Sequence, residues 1–476
     1  MNTIPCPVSQ HARIFSHNIA LISGDSIINY GLLNEKINLA AFHLKGKSVL
    51  ANMNVALLGE PSIDFIIMLS ALWRIKAVAC PINTRMPQER ILELLKQIDC
   101  QVLIDFTEKF SKSDDLAVIH VKNLNDPLPE GESNHINQID LDRIATIIFT
   151  SGSTHEPKAA VHSYGNHHYN AVASNKNIPL APADRWLLSL PLYHVGGLGI
   201  LFRSFMAGAA VVIPRNRKNL VEDIKRYDVT CVSLVSTQLN RMLNDHGNVQ
   251  TLAKMKAILL GGGPIPSRLY REARKNKLPV YATYGLTESS SQVATSDRPL
   301  YELETIKARP LKHSQVRITD KGEICLKGKT LFQGYMKKGR PDLPLDEKGW
   351  FHTGDIGHLA DGYLTVRGRR DNMFISGGEN ICPEEIEKII VDIPGIAQAV
   401  VIPVEDEDFG ARPGAFIKFT QAEITSARMR EFLGKLLPSF KIPIAFYIWP
   451  ESYQQDSMKI QRRVFRKFIA NSQAVP

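Results

Sequence analysis

Hydroxyl groups and a lysine follow an apolar run in the segment Ile144–Lys158, which reads IATIIFTSGSTHEPK. The apolar part has the length and the β-branched content of a buried strand. The loop after it offers backbone N–H groups and the hydroxyls of Ser151, Ser153 and Thr154 to an anion. The Walker motif G-x-x-x-x-G-K-[ST] does not fit this segment. Plain polar turns use the same residue types, so the loop alone leaves phosphate binding and an ordinary turn equally open.

Three further loops with chemically useful residues follow predicted strands. Tyr193–Gly197 comes after WLLSLPL, Gly263 and Pro264 come after KAILLGG, and Leu286–Glu288 comes after PVYATYG. Any one of these loops is as compatible with a simple turn as with a binding site. Because ligands of parallel sheets bind at the carboxyl ends of the strands, the four loops together favour one composite site.

The elements that carry these loops alternate between short apolar runs and longer amphipathic runs, which is typical of parallel sheets covered by helices. The predicted strands are NVALLGE, KAVACPI, WLLSLPL, AAVVIP, TCVSLVS, KAILLGG and PVYATYG. The predicted helices are Ser62–Trp73, Gln88–Gln97, Leu220–Tyr227 and Ser267–Asn276. The fold class that follows is α/β, with a large N-terminal domain.

The pattern changes after Ile318 to short strands and glycine turns, which predicts a β-rich segment of the large domain. The charge-dense stretch Arg367–Asp371 is a candidate boundary. Beyond it, helices at Pro383–Val391 and Ala427–Leu436 and strands at AQAVVIPV and PGAFIKFT predict a small α+β domain. We therefore expect an N-terminal domain at residues 1–368 and a C-terminal domain at residues 369–476.

Composition excludes several classes of protein. The chain has 476 residues, 44% of them apolar, which is enough for at least two domains. No long uncharged apolar run or signal peptide is evident, so we expect a cytoplasmic protein without a membrane span. The six cysteines form no C-x-x-C pair, which argues against zinc and a disulfide framework. The net charge of +9 is dispersed, and a nucleotide ligand would suit it as well as nucleic acid would.

The loops match a known family in order and over nearly the whole chain. TSGSTHEPK, LPLYHVGG, GGGPIP, TYGLTE, WFHTGD and GRRDNMFISGGENICPEEIE resemble the motifs of the adenylate-forming enzymes, which include acyl-CoA synthetases, firefly luciferase and peptide-synthetase adenylation domains. The resemblance implies a two-step reaction in which a carboxylate attacks ATP to give an acyl-adenylate, and a CoA thiol then displaces AMP. The implied cofactors and co-substrates are ATP, Mg²⁺ and coenzyme A.

The resemblance also implies roles for individual residues in ATP binding. The resemblance assigns the phosphates to Thr150, Ser151, Gly152, Ser153, Thr154, Lys158 and Thr287. It assigns the adenine to Gly261, Gly262, Gly263, Tyr284 and Gly285. It assigns the ribose to Asp355 and Arg369, and magnesium to Glu288. Three of these residues also have an alternative interpretation without a role in ATP binding. Glu288 could be a carboxylate near a helix N-terminus, Tyr284 a core aromatic and Arg369 a solvated linker charge.

For the acid and thiol steps, the resemblance implies a gate, a mobile domain and a catalytic lysine. The gate is His194 with the flexible Gly196 and Gly197, the hinge is Asp371, the pantetheine channel contains Gly377 and Gly378, and the catalytic lysine is Lys459. A lysine in a basic tail is usually a solvated charge, and a histidine beside a strand end is usually structural.

The acid is implied by a narrower resemblance. PKAAVHSYGNHHYNAVASN and WLLSLPLYHVGGLGILFRSFMAGA look like the branch of the family that acts on o-succinylbenzoate in menaquinone biosynthesis. That acid has two carboxylates, so a cation is expected for the second, and Arg203 is the candidate. A surface arginine is the alternative at this position. Other aryl- or fatty-acyl-CoA ligases, a carrier-loading adenylation domain and a non-enzymatic nucleotide or nucleic-acid binder remain open, as does the oligomeric state.

Three positions depart from the family pattern. His155 and Ala159 replace glycines of the phosphate loop, and Met458 precedes Lys459 where the usual Pro-Lys-Thr and Gly-Lys elements are lost. His155 could restrict the phosphate loop, and Met458 weakens the placement of Lys459.

Overall fold

Two large sheets with helices on their faces form most of the fold. The computed structural model describes residues 2–108, 110, 116–120, 138–150, 157–420, 424–453, 460–469 and 472–475. The helices of the first half are Pro7–Ile14, Tyr30–Gly46, Ile63–Arg74, Gln88–Gln97, Tyr164–Asn177, Val195–Ala207 and Leu220–Arg226. The helices of the second half are Ser236–Leu243, His246–Ala253, Ser267–Lys275, Pro383–Ile390, Ser426–Gly434 and Arg462–Arg466. None of the helices in these ranges combines the length and the apolar character that a bilayer crossing requires.

The first sheet has eight strands in the described residues. In spatial order they are Arg340–Asp342, Gly334–Lys337, Lys158–Ser163, Ile144–Thr150, Val78–Ile82, Asn54–Leu58, Val102–Asp105 and Ala117–His120. The last five run parallel to one another. The strand Val78–Ile82 is buried along its whole length because helices cover both faces of such a sheet.

The second sheet has nine strands in the same part of the chain. In spatial order they are Arg309–Pro310, Ser291–Thr295, Val280–Leu286, Ala257–Leu260, Cys231–Leu234, Arg185–Leu187, Ala210–Ile213, Ile19–Ser23 and Ser26–Asn29. The six strands from Val280–Leu286 to Ile19–Ser23 are parallel. A third, antiparallel sheet contains Ser314–Ile318, Glu323–Gly328, Phe351–Ala360 and Tyr363–Arg369. The predicted α/β class with a β-rich segment is confirmed.

The C-terminal part has a hydrophobic core of its own. Its strands are the hairpin Phe374–Ser376 and Glu379–Ile381 and the three-stranded sheet Ile396–Asp406, Gly410–Phe419 and Ala445–Ile448. Ile386, Val401 and Phe446 belong to one buried cluster formed within this part. A separate two-stranded ladder pairs Thr3–Pro5, near the N-terminus, with Gln138–Asp140.

Most predicted elements agree with the structure to within a few residues, and one does not. The predicted strand WLLSLPL is wrong beyond Leu187, where the strand Arg185–Leu187 ends. The N–H of Ser189 donates a hydrogen bond of 2.9 Å to the carbonyl of Leu187, two residues earlier. Its hydroxyl donates to the carbonyl of Ser233 on the neighbouring strand. Pro191 then has no N–H for a ladder, so the remainder of the apolar run forms a buried loop.

Replacing Phe416 by alanine should lower the free energy of unfolding by about 3–5 kcal/mol. Phe416 is fully buried in the C-terminal part, and its ring centre lies 5.2 Å from that of Phe465. Urea denaturation followed by circular dichroism measures the change. The control is Leu436→Ala at a position that is 58% exposed, where we expect a change within about 0.5 kcal/mol. Equal losses in both variants would contradict this assignment of the core.

Candidate functional site

The end of the predicted phosphate loop meets the predicted magnesium motif through a tyrosine. The Lys158 ammonium lies 5.1 Å from the centre of the Tyr335 ring. Tyr335 Oη donates a hydrogen bond of 2.6 Å to Glu288 Oε1. Burial and the Glu288 carboxylate raise the pKa of Tyr335, so the phenol stays protonated and keeps this bond. Thr150 pairs with Lys158 across the ladder of their two strands. A cation, a carboxylate and a hydroxyl therefore lie in neighbouring positions.

The predicted ribose and adenine residues meet at Asp355. Tyr284 Oη donates a hydrogen bond of 2.6 Å to Asp355 Oδ2, and Arg369 Nη1 donates one of 3.0 Å to Asp355 Oδ1. Burial and the Asp355 carboxylate raise the pKa of Tyr284, which keeps the phenol protonated. Arg369 also lies 3.3 Å from Asp371 Oδ2. Arg369 is therefore not a free linker charge, and it joins the predicted ribose residue to the predicted hinge residue.

Close packing or backbone conformation requires three of the four glycines of the predicted adenine site. A Cβ atom at Gly285 would lie 1.7 Å from the carbonyl oxygen of Ser291. A Cβ atom at Gly261 would lie 2.6 Å from Thr283 Cγ2. Gly262 has a φ of +82°, which a side chain would strain, whereas Gly263 has open space around it. Here the backbone itself forms the surface that a flat ligand can approach.

His194, Gly196 and Gly197 lie at the start of a buried helix. His194 directly precedes the helix Val195–Ala207, and its ring centre lies 4.7 Å from that of Tyr193. We predicted flexible glycines here, and the packing gives a different reason for them. A Cβ atom at Gly197 would lie 2.1 Å from the Pro191 carbonyl oxygen, and one at Gly196 would lie 2.9 Å from Leu190 Cδ1. These glycines let the loop pack tightly against the segment before it.

Arg203 is a buried cation inside the sheet-and-helix layer. It is 1% exposed, its guanidinium carbon lies 4.6 Å from the centre of the Trp186 ring, and its Nε donates to the Gly199 carbonyl at 2.8 Å. Nη1 is buried without a hydrogen-bond partner, and no carboxylate of the described residues forms an ion pair with it. Burial lowers the pKa of Arg203 to about 10, so the group is still charged near neutral pH. The alternative of a surface arginine is excluded.

The remaining predicted residues divide into two groups. Gly377 and Gly378 have φ values of +55° and +87° in a hairpin turn, and the Gly377 N–H donates to the Phe409 carbonyl at 3.0 Å. The second group, Ser151, Gly152, Ser153, Thr154, His155, Met458 and Lys459, lies outside the described residues. Their roles stay predictions from sequence.

The family assignment rests on two matched regions. Residues 8–336 match the family described as AMP-binding enzyme, and residues 385–459 match the AMP-binding enzyme C-terminal domain. The chain belongs to the AMP-binding enzyme family. The predicted membership in the adenylate-forming superfamily is confirmed.

Curated relatives of this AMP-binding enzyme span its full length. A 2-succinylbenzoate--CoA ligase of Bacillus cereus (strain ZK / E33L) is 32% identical, with 98% of this chain and 99% of the relative aligned. A protein of the same name from Bacillus cytotoxicus is also 32% identical, with the same two shares aligned.

Solved structures of similar fold carry related ligands. The o-succinylbenzoate CoA synthetase of Bacillus subtilis in complex with its acyl-adenylate intermediate has a TM-score of 0.89 and 29% identity, covering 98% of this chain and 99% of that chain. The Bacillus subtilis protein in complex with ATP and magnesium has a TM-score of 0.88 at 29% identity, covering 98% of this chain and 100% of that chain. An E. coli MenE variant with bound OSB-AMS has a TM-score of 0.83 at 29% identity, covering 97% of this chain and 98% of that chain.

Sequence reasoning missed a buried histidine behind the Thr287 turn. His162 Nε2 lies 2.7 Å from the Thr287 carbonyl oxygen, and because a carbonyl only accepts, this nitrogen carries the hydrogen. Burial lowers the pKa of His162 to about 4, so the ring is neutral near neutral pH. The His-Ser pair at this strand end has no pattern that distinguishes it from a core position. It holds the turn that contains Thr287 and Glu288.

Glu323 is a second missed residue, and it joins the Asp355 loop to the chain segment at the predicted boundary. Its Oε1 accepts from the Gly354 N–H at 3.0 Å, while its Oε2 accepts from Arg370 Nη1 at 2.8 Å and lies 3.1 Å from His352 Nδ1. The hydrogen bond to Glu323 raises the pKa of His352, burial partly opposes this, and Asp346 adds to it. A protonated His352 therefore stabilises this loop.

The stabilisation by His352 should depend on pH. Because the folded pKa is raised, the stabilising charge is fully present below the unfolded pKa of about 6.5 and is lost as pH rises through the folded value. The difference in melting temperature between the native protein and His352→Gln should shrink between pH of about 6 and about 8.5. Thermal unfolding across this range measures it. The matched control for loss of an imidazole from this strand is His358→Gln, and an equal trend in both variants would contradict the pairing with Glu323.

Proposed function

We propose that this chain joins o-succinylbenzoate to coenzyme A in two steps, through an acyl-adenylate formed from ATP. Full-length relatives named 2-succinylbenzoate--CoA ligase support this proposal, as does the similarity to a synthetase structure that contains the acyl-adenylate. The observation that carries the choice of acid is Arg203, a buried cation without a carboxylate partner in the described residues.

Arg203 suits the second carboxylate of a dicarboxylic acid. One carboxylate of o-succinylbenzoate is activated, and the ring carboxylate needs a cation where the ligand is buried. Gly199, one helical turn before Arg203, leaves room for the guanidinium, because a Cβ atom there would lie 2.9 Å from Nη2. A buried charge is costly unless it is paired. The bound acid would supply the missing partner, and the site would favour dicarboxylates over acids with one carboxylate.

Phosphate binding is assigned to groups around Lys158 and Glu288. We assign the outer phosphates to the loop from Thr150 to Lys158 and the α-phosphate to Thr287. Glu288 fits a magnesium ion that bridges to ATP, because this ion takes one or two carboxylates together with phosphate oxygens and water. Its Oε1 accepts from Tyr335, and Oε2 accepts no hydrogen bond from the described residues, so Oε2 is the oxygen we assign to the ion. When bound, magnesium neutralises phosphate charge and so favours attack by an anionic carboxylate.

The nucleoside is assigned to the surface around Tyr284 and Asp355. The glycines Gly261–Gly263 and Gly285 carry no side chain that would separate the backbone from the adenine, and the Tyr284 ring offers a π-face. Both Asp355 oxygens already accept one hydrogen bond, and a carboxylate has lone pairs for further donors such as ribose hydroxyls. Arg369 would orient Asp355 and contribute positive charge near the phosphates.

The second half-reaction is assigned to a movement of the C-terminal part. We place the domain boundary between residues 368 and 369 and the hinge at Asp371, with Lys459 acting in adenylation and Gly377 and Gly378 lining the thiol channel. The family match to residues 385–459 and the separate C-terminal core support this division. His194, at the start of the helix that carries Arg203, would separate the acid from the thiol until the adenylate has formed.

We also propose that the enzyme works in the cytoplasm on ATP, the acid and free CoA. Its six cysteines are all buried and unpaired, as expected in a reducing compartment.

The proposed substrate is tested with two acids that differ by one carboxylate. Arg203→Met should lower kcat/KM for o-succinylbenzoate about a hundredfold, equivalent to about 2.7 kcal/mol, because the ring carboxylate loses its buried partner. The ligand 4-oxo-4-phenylbutanoate lacks that carboxylate, so its kcat/KM should change little. Chromatographic detection of the CoA thioester measures both. Equal losses would contradict the role of Arg203, and no thioester from either acid would contradict the proposed function.

Lys459→Ala should separate the two half-reactions. Pyrophosphate release from ATP and o-succinylbenzoate should fall about a hundredfold or more, because the ammonium no longer neutralises charge in the attack. Thioester formation from preformed acyl-adenylate and CoA should be nearly unchanged. The control is Lys467→Ala, which removes an exposed lysine of the same C-terminal segment. A similar loss in the control, or equal losses in both steps, would refute the assignment.

A further inference from the structure

A cavity separate from the nucleotide groups lies behind the helix that carries Arg203. It has a volume of about 100 Å³ and is bounded by the N-terminal segment, by the helix Ile63–Arg74 and by the helix Val195–Ala207. Phe202 and Phe205 line this cavity, whereas Arg203 packs against Trp186 and is not among the lining residues. The cavity is therefore a different space from the proposed acid pocket, although one helix borders both.

The walls of this cavity are aromatic. Trp73, Tyr164 and Phe202 line it and contact one another, with ring centres 4.9 Å apart for Trp73 and Phe202 and 5.0 Å apart for Tyr164 and Phe202. Such walls favour an apolar, flat or compact body. An enclosed apolar cavity of roughly 150 Å³ accommodates benzene. The cavity here is smaller and opens partly to the surface, so it restricts the apolar body of a ligand to at most one ring or a short branched chain.

Arg74 places a positive charge at the wall of this cavity. Its side chain is 7% exposed, and Nη1 and Nη2 donate to neutral acceptors, which are the Asn34 carbonyl, Asn38 Oδ1, Ser9 Oγ and Cys6 Sγ. None of the ion pairs found in the described ranges includes Arg74, and these four bonds leave its Nε–H unused. The guanidinium charge is thus buried against dipoles alone, which stabilise it less than an anion would.

Ser70 supplies a second polar group that lacks a partner. It lies one helical turn before Arg74, so both side chains project from the same face of their helix. Ser70 lines the cavity and is nine-tenths buried, and its hydroxyl has no hydrogen-bond partner in the part of the chain that the structure describes. Buried polar groups are nearly always paired, so a ligand acceptor next to Arg74 would satisfy both groups. Two cations, Lys76 and Arg143, and one carboxylate, Asp140, also line the cavity, so the net charge of its rim is positive as well.

We propose that this cavity is a second ligand site, which binds a small carboxylate with a single ring or a short branched body. The carboxylate contacts Arg74 and Ser70, and the apolar body lies against Trp73 and Phe202. Charge and shape select the ligand together, because the guanidinium selects an anion and the aromatic walls select a compact apolar group.

Isothermal titration calorimetry of the full chain with benzoate tests this proposal. Benzoate should bind with a Kd on the order of 1 mM. Arg74→Met should weaken the binding at least tenfold, whereas Arg203→Met, which alters the acid pocket, should leave this binding component in place. Benzyl alcohol has the same body without the charge and should bind at least tenfold more weakly than benzoate. Equal affinity for the two compounds, or benzoate binding that is lost in Arg203→Met and kept in Arg74→Met, would overturn the proposal.

If circular dichroism shows that Arg74→Met does not fold, a second pair of variants tests the proposal. Ser70→Leu keeps the arginine and fills the cavity, so the benzoate component should disappear. Ser70→Ala removes one oxygen atom and should weaken the binding about threefold. Unchanged benzoate affinity in the folded Ser70→Leu protein would exclude this cavity as the site.

Discussion

Asp355 is the group on which the arrangement of the site depends. Its carboxylate accepts from Tyr284, at the end of a parallel strand of the nine-stranded sheet, and from Arg369, at the end of the antiparallel sheet. Arg369 in turn contacts Asp371, where the chain enters the C-terminal part. Three structural units therefore meet at one buried carboxylate. Because charge-assisted hydrogen bonds are strong and directional, this contact fixes the positions of the predicted nucleoside-binding residues relative to the predicted hinge.

Two buried arginines differ in whether the described residues supply a carboxylate partner. In the C-terminal part, Arg462 is matched by two carboxylates, with Nη1 at 3.0 Å from Glu384 and Nη2 at 2.5 Å from Glu387. Arg203 is more deeply buried and has a carbonyl and an aromatic ring as neighbours. Removing an ion from water without a counter-ion is costly, so this contrast has functional meaning. It links the local electrostatics to the proposed preference for a second carboxylate.

Neutral side chains hold the charged ones in place. The buried imidazole of His162 is kept uncharged by its surroundings and donates to the Thr287 carbonyl, while the Tyr335 phenol is kept protonated and donates to Glu288. Neither group changes its charge near neutral pH. The positions of Thr287 and Glu288 are thereby insensitive to pH, in contrast to the Glu323–His352 contact beside Asp355. The surroundings of Thr287 and Glu288 therefore differ in their pH dependence from those of Asp355.

The sequence alone determined the α/β class, the order of the elements and the family, because hydrophobic periodicity and contiguous motifs such as TYGLTE and WFHTGD are local properties of the chain. It also predicted nucleotide contacts for Tyr284, Asp355 and Arg369, and the structure brings these three side chains together. Only the tertiary structure decided that WLLSLPL turns away after Leu187, and that Gly197 serves tight packing. It likewise decided that Arg203 is buried without a carboxylate partner in the described residues, that His162 supports Thr287 and that Arg74 lines a cavity. Burial and partners depend on residues far apart in the chain, and no local pattern contains that information.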